Sequence, residues 1–303
     1  MKSKAAAFAG YLAYKSLALF LAVLPRRAVL ALGGGLGRLA GRLGRKQTRI
    51  VDSNLAVAFG REKTPAERER IARGFFAQLG RCLFDILKAG HMSAARVRAL
   101  IDVEGGERLE SALAAGKGAL VLSAHYGNWE FTVPVLSGFA VTRPIQRDLD
   151  NPHIGRDLER LRRKFGGATI SKFNAARPVL QALSRNEIVL ILIDLNVLRS
   201  SGPVFVDFFG RPAATTPALA AFHLKTGAPI VPMFCEPVPR GRYRVTFHEP
   251  LVFERTADRE ADVLKITRSC TNMIELRIRE RPEPWLWIHK RWNTRPPGET
   301  RTA

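Results

Sequence analysis

Three uninterrupted apolar runs limit what this chain can become. They read GALVLSA at 118–124, EIVLILID at 187–194 and APIVPMFC at 228–235. Each is of strand length, and none alternates apolar with polar residues. A strand of that kind keeps both faces in the core, so helices must cover the sheet on each side. Helical patterns surround the runs. Thr64-Pro65-Ala66-Glu67 is a helix start: Thr64 caps, Pro65 takes the first helical position and Glu67 completes a capping box. The helix it opens carries Ile71, Phe75, Leu79, Cys82, Leu83 and Ile86 on one broad face and ends near Gly90. Further helices are expected over 152–165, 175–184, 214–226 and 258–280. Residues 128–136 allow another, which Pro134 interrupts. FVDFF at 205–209 reads as extended or loop, and residues 242–247 alternate like an edge strand. The expected fold class is therefore α/β, a mixed central sheet covered by helices.

The N-terminal region departs from this pattern. Residues 5–24, AAAFAGYLAYKSLALFLAVL, approach the roughly 20 residues that cross a bilayer, but Lys15 interrupts them. A helix lying in the membrane interface tolerates a lysine better than one that spans. Pro25 followed by Arg26-Arg27 marks a stop. Residues 28–44 then resume the apolar pattern, with Arg38, Arg42, Arg45 and Arg49 at helical spacing. The formal net charge of +21 calls for an anionic partner: nucleic acid, an anionic membrane surface or an acidic substrate. Its distribution favours a membrane. Residues 1–51 hold ten Lys or Arg and no acid, interleaved with apolar side chains that a nucleic-acid tail would not need. The chain divides into a membrane-associating segment, 1–44, and an α/β domain, 45–303. If the first helix spans, the denser positive flank after it places the domain in the cytoplasm.

The chemistry concentrates at HYGNWE, residues 125–130. His125 directly follows an apolar strand, where α/β folds gather their active groups. Glu130 lies five residues on, and a turn at Gly127 would let its carboxylate fold back toward the imidazole. A neutral imidazole can take a proton from a hydroxyl while a carboxylate holds the ring and stabilises the imidazolium. That is a dyad for direct transfer, without a protein nucleophile. No GxSxG elbow surrounds Ser123. Cys82, Cys235 and Cys270 are widely separated; they have neither metal-ligand nor disulfide spacing and read as buried apolar residues of a reducing compartment. No metal is expected. From the motif alone, a structural histidine bonded to a nearby acid explains the residues equally well. Asp194, also at the end of an apolar run, adds weight to the functional reading.

With these motifs in order, the chain resembles the Kdo-dependent lipid A acyltransferases of Gram-negative bacteria, the lauroyl and myristoyl transferase family. Their wider superfamily includes mycobacterial acyltransferases for phosphatidylinositol mannosides. The signature histidine, four residues and an acid fall on His125 and Glu130. Asn54-Leu55 with Phe59, Arg143-Pro144 with Asn151-Pro152, VFVDFFG at 204–210, ATT at 214–216 and PEPWLWIHKRWNTRP at 282–296 follow the family's order. Asp194 falls on the acid of its DQ motif, with Leu195 in place of the glutamine.

The resemblance implies an O-acyltransferase on the cytoplasmic face of the inner membrane, with His125 as base and Glu130 orienting it. It implies an acyl carrier protein or coenzyme A thioester as donor, no bound cofactor, acyl carrier protein as a partner and an anionic membrane lipid or glycolipid as acceptor. Arg143, Asn151, Asp194, Asp207 and Arg291 become candidate substrate-binding residues. By pattern alone Arg143 and Arg147 either bind substrate phosphates or sit on a solvated face, the second being favoured, and Asp194 either binds a substrate hydroxyl, supports the active-site loop or simply caps its strand. An acyltransferase for another polar lipid is the nearest alternative. A non-catalytic nucleic-acid-binding protein would explain the charge but not the apolar N-terminus, and no nucleic-acid module is present.

Overall fold

The computed structural model describes residues 4–299; residues 1–3 of the expected membrane segment and 300–303 lie outside that range. Four helices come first: α1 (Lys4–Val23), α2 (Arg26–Leu43), α3 (Arg45–Phe59) and α4 (Pro65–Ala89). Strands and helices then alternate: α5 (Ala94–Arg98), β1 (Ile101–Glu104), α6 (Gly106–Ala114), β2 (Ala119–Ser123), α7 (Thr132–Leu136), β3 (Thr142–Gln146), α8 (Pro152–Lys164), β4 (Ile170–Ser171), α9 (Ala176–Ser184) and β5 (Ile188–Leu192). The chain continues through β6 (Val204–Phe208), β7 (Arg211–Thr215), α10 (Ala218–Thr226), β8 (Ile230–Val238), β9 (Arg242–Phe247) and α11 (Arg259–Glu280).

The three apolar runs are β2, β5 and β8, and they lie together at the centre of a sheet ordered β1-β9-β8-β2-β5-β3-β4. β2 pairs in parallel with β5 and β8, whereas β9 runs antiparallel to β8 and parallel to β1, so the sheet is mixed. Both faces are covered, as uninterrupted apolar strands require. Leu120, Leu122, Val189 and Ile191 pack with Phe75 and Trp287 on one face. Val121, Ile188 and Leu190 pack with Phe131 and Val231 on the other. Burying a side chain of this size contributes about 1.5–3 kcal/mol. β9 alternates as its sequence predicts, but β1 covers its outer side, so it is not the edge. The helix expected from residue 214 begins at Ala218, because residues 211–215 pair with β6 as a separate antiparallel hairpin. Residues 128–136 divide into a 3-10 turn, Trp129–Phe131, and the five-residue α7.

The capping box of α4 is complete. The Thr64 hydroxyl accepts from the Glu67 backbone N–H at 3.3 Å, and the Glu67 carboxylate accepts from the Thr64 N–H at 2.7 Å. Thr64→Ala should lower stability by about 0.5–2 kcal/mol, read as a shift in the urea midpoint with unchanged slope.

α2 lies against α4 at backbone contact. A Cβ on Gly37 would stand 2.1 Å from the Phe76 carbonyl oxygen, and one on Gly80 would stand 2.0 Å from that of Gly33. Larger residues at either place would push the helices apart. The elbow before α2 is fixed too. Lys88 donates to the carbonyls of Ala22 and Leu24, and Arg26 holds the fully buried Asp85. α1 rests on α8 through stacking of Tyr11 on His153 and an ion pair between Lys15 and Asp157. Ala5–Val23 is apolar and long enough to cross a membrane by length and composition, and little of it is buried. The C-terminal tryptophans belong to the core: Trp285 and Trp287 are fully buried, and Asn54 donates to the carbonyls of Trp287 and His289.

Candidate active site

β2 and β5 are parallel neighbours, with Ser123 opposite Leu192. Two residues beyond each stand His125 and Asp194, at the same carboxyl-end edge of the sheet. The Asp194 carboxylate is buried and receives three hydrogen bonds. The backbone N–H of His125 and the indole N–H of Trp285 each donate to Oδ2 at 2.9 Å, and His125 Nδ1 lies 2.9 Å from Oδ1. Burial raises the Asp194 carboxyl, but the His125 charge and these hydrogen bonds outweigh it and hold the group below the ordinary carboxylate range. An ionised acid accepts only, so Nδ1 donates to it, and in the neutral form of the ring Nε2 is the nitrogen with the free lone pair. The imidazole side chain is 21% exposed, so part of it remains accessible.

The turn after His125 follows from Gly127. Its φ is +60°, and a Cβ there would stand 1.9 Å from the Cys235 carbonyl oxygen, so only glycine fits. Gly127 N–H donates to the Pro284 carbonyl, and the Leu286 N–H donates to that of His125. The buried C-terminal segment thereby clamps both ends of the turn. The Trp129 ring lies 5.3 Å from that of His125.

The expected contact between Glu130 and the imidazole is not made. The 3-10 turn carries Glu130 away from His125 and toward α8. There Arg162 Nε donates to its Oε2 at 2.8 Å and Arg162 Nη2 to its Oε1 at 2.6 Å, with both side chains nearly buried. Arg162 also bonds Gln146 and Thr169. Burial lowers the Arg162 guanidinium, and the Glu130 charge and hydrogen bonds more than reverse this.

The remaining candidates scatter. Arg143 pairs with Glu187 at 2.6 Å. It stands opposite Val189 near the start of β5, at the other end of the sheet from His125. Asn151 caps α8 through the His153 N–H and donates to the Ala7 carbonyl of α1. Asp207 accepts from the Gly210 N–H at the turn between β6 and β7. Arg291 is fully buried. It donates to the carbonyls of Leu195 and Ala214 and to the Thr215 hydroxyl, and its guanidinium stacks over Phe208. Burial pushes it down to about 10, with Asp194 acting against the shift. It braces the loop after β5 from behind and has no exposed face for a phosphate. Arg147 is exposed and paired with Asp150.

Three residues of the site escape the sequence reading. Arg162 lies in a helix full of arginines, but it follows Leu158 by four residues and so falls on the helix face shared with Leu161 and Phe165. A charge on an apolar stripe is the signal that marks it. Trp285 had no visible partner. His289 accepts at Nε2 from the Asn196 N–H, and burial lowers it to about 4 despite Asp194, so it stays neutral behind the site.

The chain matches the family model described as bacterial lipid A biosynthesis acyltransferase over residues 2–294. It is 28% identical over 271 residues to the lipid A biosynthesis myristoyltransferase of Escherichia coli K12, covering 87% of this chain and 80% of that protein. To the lipid A biosynthesis lauroyltransferase of the same organism it is 27% identical, covering 91% and 88%. To the phosphatidylinositol mannoside acyltransferase of Mycolicibacterium smegmatis it is 24% identical, covering 79% and 77%.

Proposed function

The chain belongs to the bacterial lipid A biosynthesis acyltransferase family. From that premise we propose that it moves a fatty acyl group from a thioester to a hydroxyl of a lipid A precursor or related membrane glycolipid, with His125 as general base. The observation that carries the mechanism is the His125–Asp194 pair: in the neutral ring, a proton shared with the carboxylate at Nδ1 leaves Nε2 to act as the base. Nε2 takes the hydroxyl proton as the oxygen attacks the thioester carbonyl. A tetrahedral intermediate forms, its C–S bond breaks, and the thiolate recovers the proton from the imidazolium. Asp194 fixes the tautomer and balances the transient charge. Glu130 acts through Arg162, which it holds against Gln146 and Thr169. No protein thiol takes the acyl group: Cys82, Cys235 and Cys270 are buried, and burial pushes each thiol up.

The donor is a thioester of acyl carrier protein or coenzyme A, and the enzyme works at the cytoplasmic face of the inner membrane. An acceptor of another polar lipid class is the second reading, supported by the mycobacterial relative. An enzyme of lipid metabolism displaces the nucleic-acid-binding alternative. The test is mass spectrometry of membrane lipids with and without the gene, paired with assays of the purified protein on both donors. Loss of one acyl chain from the lipid A species on deletion is expected. Unchanged lipids together with no transfer from either thioester would overturn the proposal.

Placement at the membrane has its own expected result. Removing residues 1–24 should move a substantial fraction of folded protein to the soluble pool, because α1 exposes Phe8, Leu12, Leu19, Phe20 and Val23. An unchanged distribution on fractionation would exclude α1 as the principal anchor.

A further inference from the structure

The seating of α2 on α4 leaves one of its surfaces without a counterpart. Its glycine face touches the α4 backbone, so the helix cannot roll without a clash at Gly33, Gly37 or Gly80. Its outward face is thereby fixed. That face carries Leu32, Leu36, Leu39 and Leu43, which are 41%, 50%, 47% and 72% exposed. Spacings of four, three and four residues align them in one stripe. Arg42 and then Arg38 lie along one side of the stripe, Arg27 stands farther round the helix, and Arg45, Lys46 and Arg49 continue the charge into α3. All six are exposed, and among the described residues none has a carboxylate partner.

We propose that α2 is a second membrane element, an in-plane helix whose leucine stripe enters the headgroup boundary of an anionic bilayer while the flanking cations meet lipid phosphates. A leucine stripe bordered by bare guanidinium groups has the polarity of that interface. Continuity favours a bilayer over a folded acidic partner. Only Leu24 and Pro25 separate α2 from α1, whose own apolar side chains are exposed. The elbow between them is held by Lys88 and by the Arg26–Asp85 pair, so both helices keep a fixed placement on α4. The proposal deepens the membrane placement given above. It adds that the body of the enzyme, and not α1 alone, contacts lipid.

The experiment uses the full chain with an environment-sensitive fluorophore on an introduced thiol. The three native cysteines are buried and leave that thiol as the reactive one. Separate samples carry Leu36→Cys on α2, Leu12→Cys on α1 and Glu110→Cys on α6. Each is mixed with vesicles of phosphatidylglycerol and phosphatidylcholine bearing quenchers at shallow or deep positions. The Leu36 probe should shift to the blue and be quenched most by shallow labels, and the Glu110 probe should remain in water. Arg38→Glu, Arg42→Glu and Arg45→Glu together should lower partition into these vesicles by about tenfold or more, with less effect on neutral ones. A Leu36 probe that stays in water while the Leu12 probe is quenched overturns the proposal and spares the placement of α1. Both probes in water overturn both. Shielding of Leu36 by acyl carrier protein but not by vesicles also overturns it, and assigns the face to a protein.

Discussion

Replacing His125 with alanine is expected to slow single-turnover acyl transfer by about 10²–10⁴-fold, equivalent to roughly 3–5 kcal/mol of barrier. The loss should fall on the chemical step. The imidazole is the proton acceptor, and its removal leaves Asp194 without a group to orient. The fold should survive for a local reason. Asp194 keeps two of its three donors, the residue-125 backbone N–H and the Trp285 indole. The clamp on the turn runs through backbone atoms of residues 125 and 127, which the substitution does not touch. Circular dichroism and the thermal midpoint should stay near wild type, and acceptor affinity should change far less than turnover. Near-wild-type turnover in the folded variant would remove His125 from the mechanism, whatever its family position.

The elements that could be read from the sequence are those whose physics is local. β2, β5 and β8 announce themselves because a strand buried on both faces needs no polar residue. α4 announces itself through its cap. His125 stands out because it ends a strand in an α/β pattern. Partner choice is not local. Asp194 lies 69 residues from His125 and reaches it only because β2 and β5 pair in parallel. Glu130, five residues away, looked nearer, yet the 3-10 turn after Gly127 points it toward α8. The same limit explains Arg143 and Arg291. Both are arginines in family-like motifs, but Arg143 meets Glu187 at the far end of the sheet and Arg291 spends its donors on carbonyls. Sequence spacing along α2 exposed its arginines; only packing distinguished the glycine face on α4 from the leucine face left open.

The two acids should separate when each is made neutral at constant shape. Asp194→Asn removes the charge that holds the imidazole proton on Nδ1. An amide can offer its N–H to that nitrogen, which moves the ring proton to Nε2 and blocks the base. Turnover should fall on the order of 10²–10⁴-fold. Its acid stability should also change. The Asp194 carboxyl is held low in the folded state, so its stabilisation is present above the ordinary carboxyl range and is lost as pH falls through the depressed value. The Asn variant should lack that acid-dependent loss. Glu130→Gln acts elsewhere. It leaves the Arg162 guanidinium nearly buried without its counter-charge, a defect of about 3–5 kcal/mol. Its main signature should therefore be a lowered urea midpoint, with turnover per folded molecule reduced less than in Asp194→Asn. Replacing Glu130 and Arg162 together with leucine should recover much of the lost stability, because it leaves no charge unpaired. The decisive comparison is turnover per folded molecule in the two single variants. If Glu130→Gln is folded and as slow as His125→Ala while Asp194→Asn transfers at the wild-type rate, the orienting acid is Glu130, and the hydrogen bond to Asp194 has no part in the chemistry.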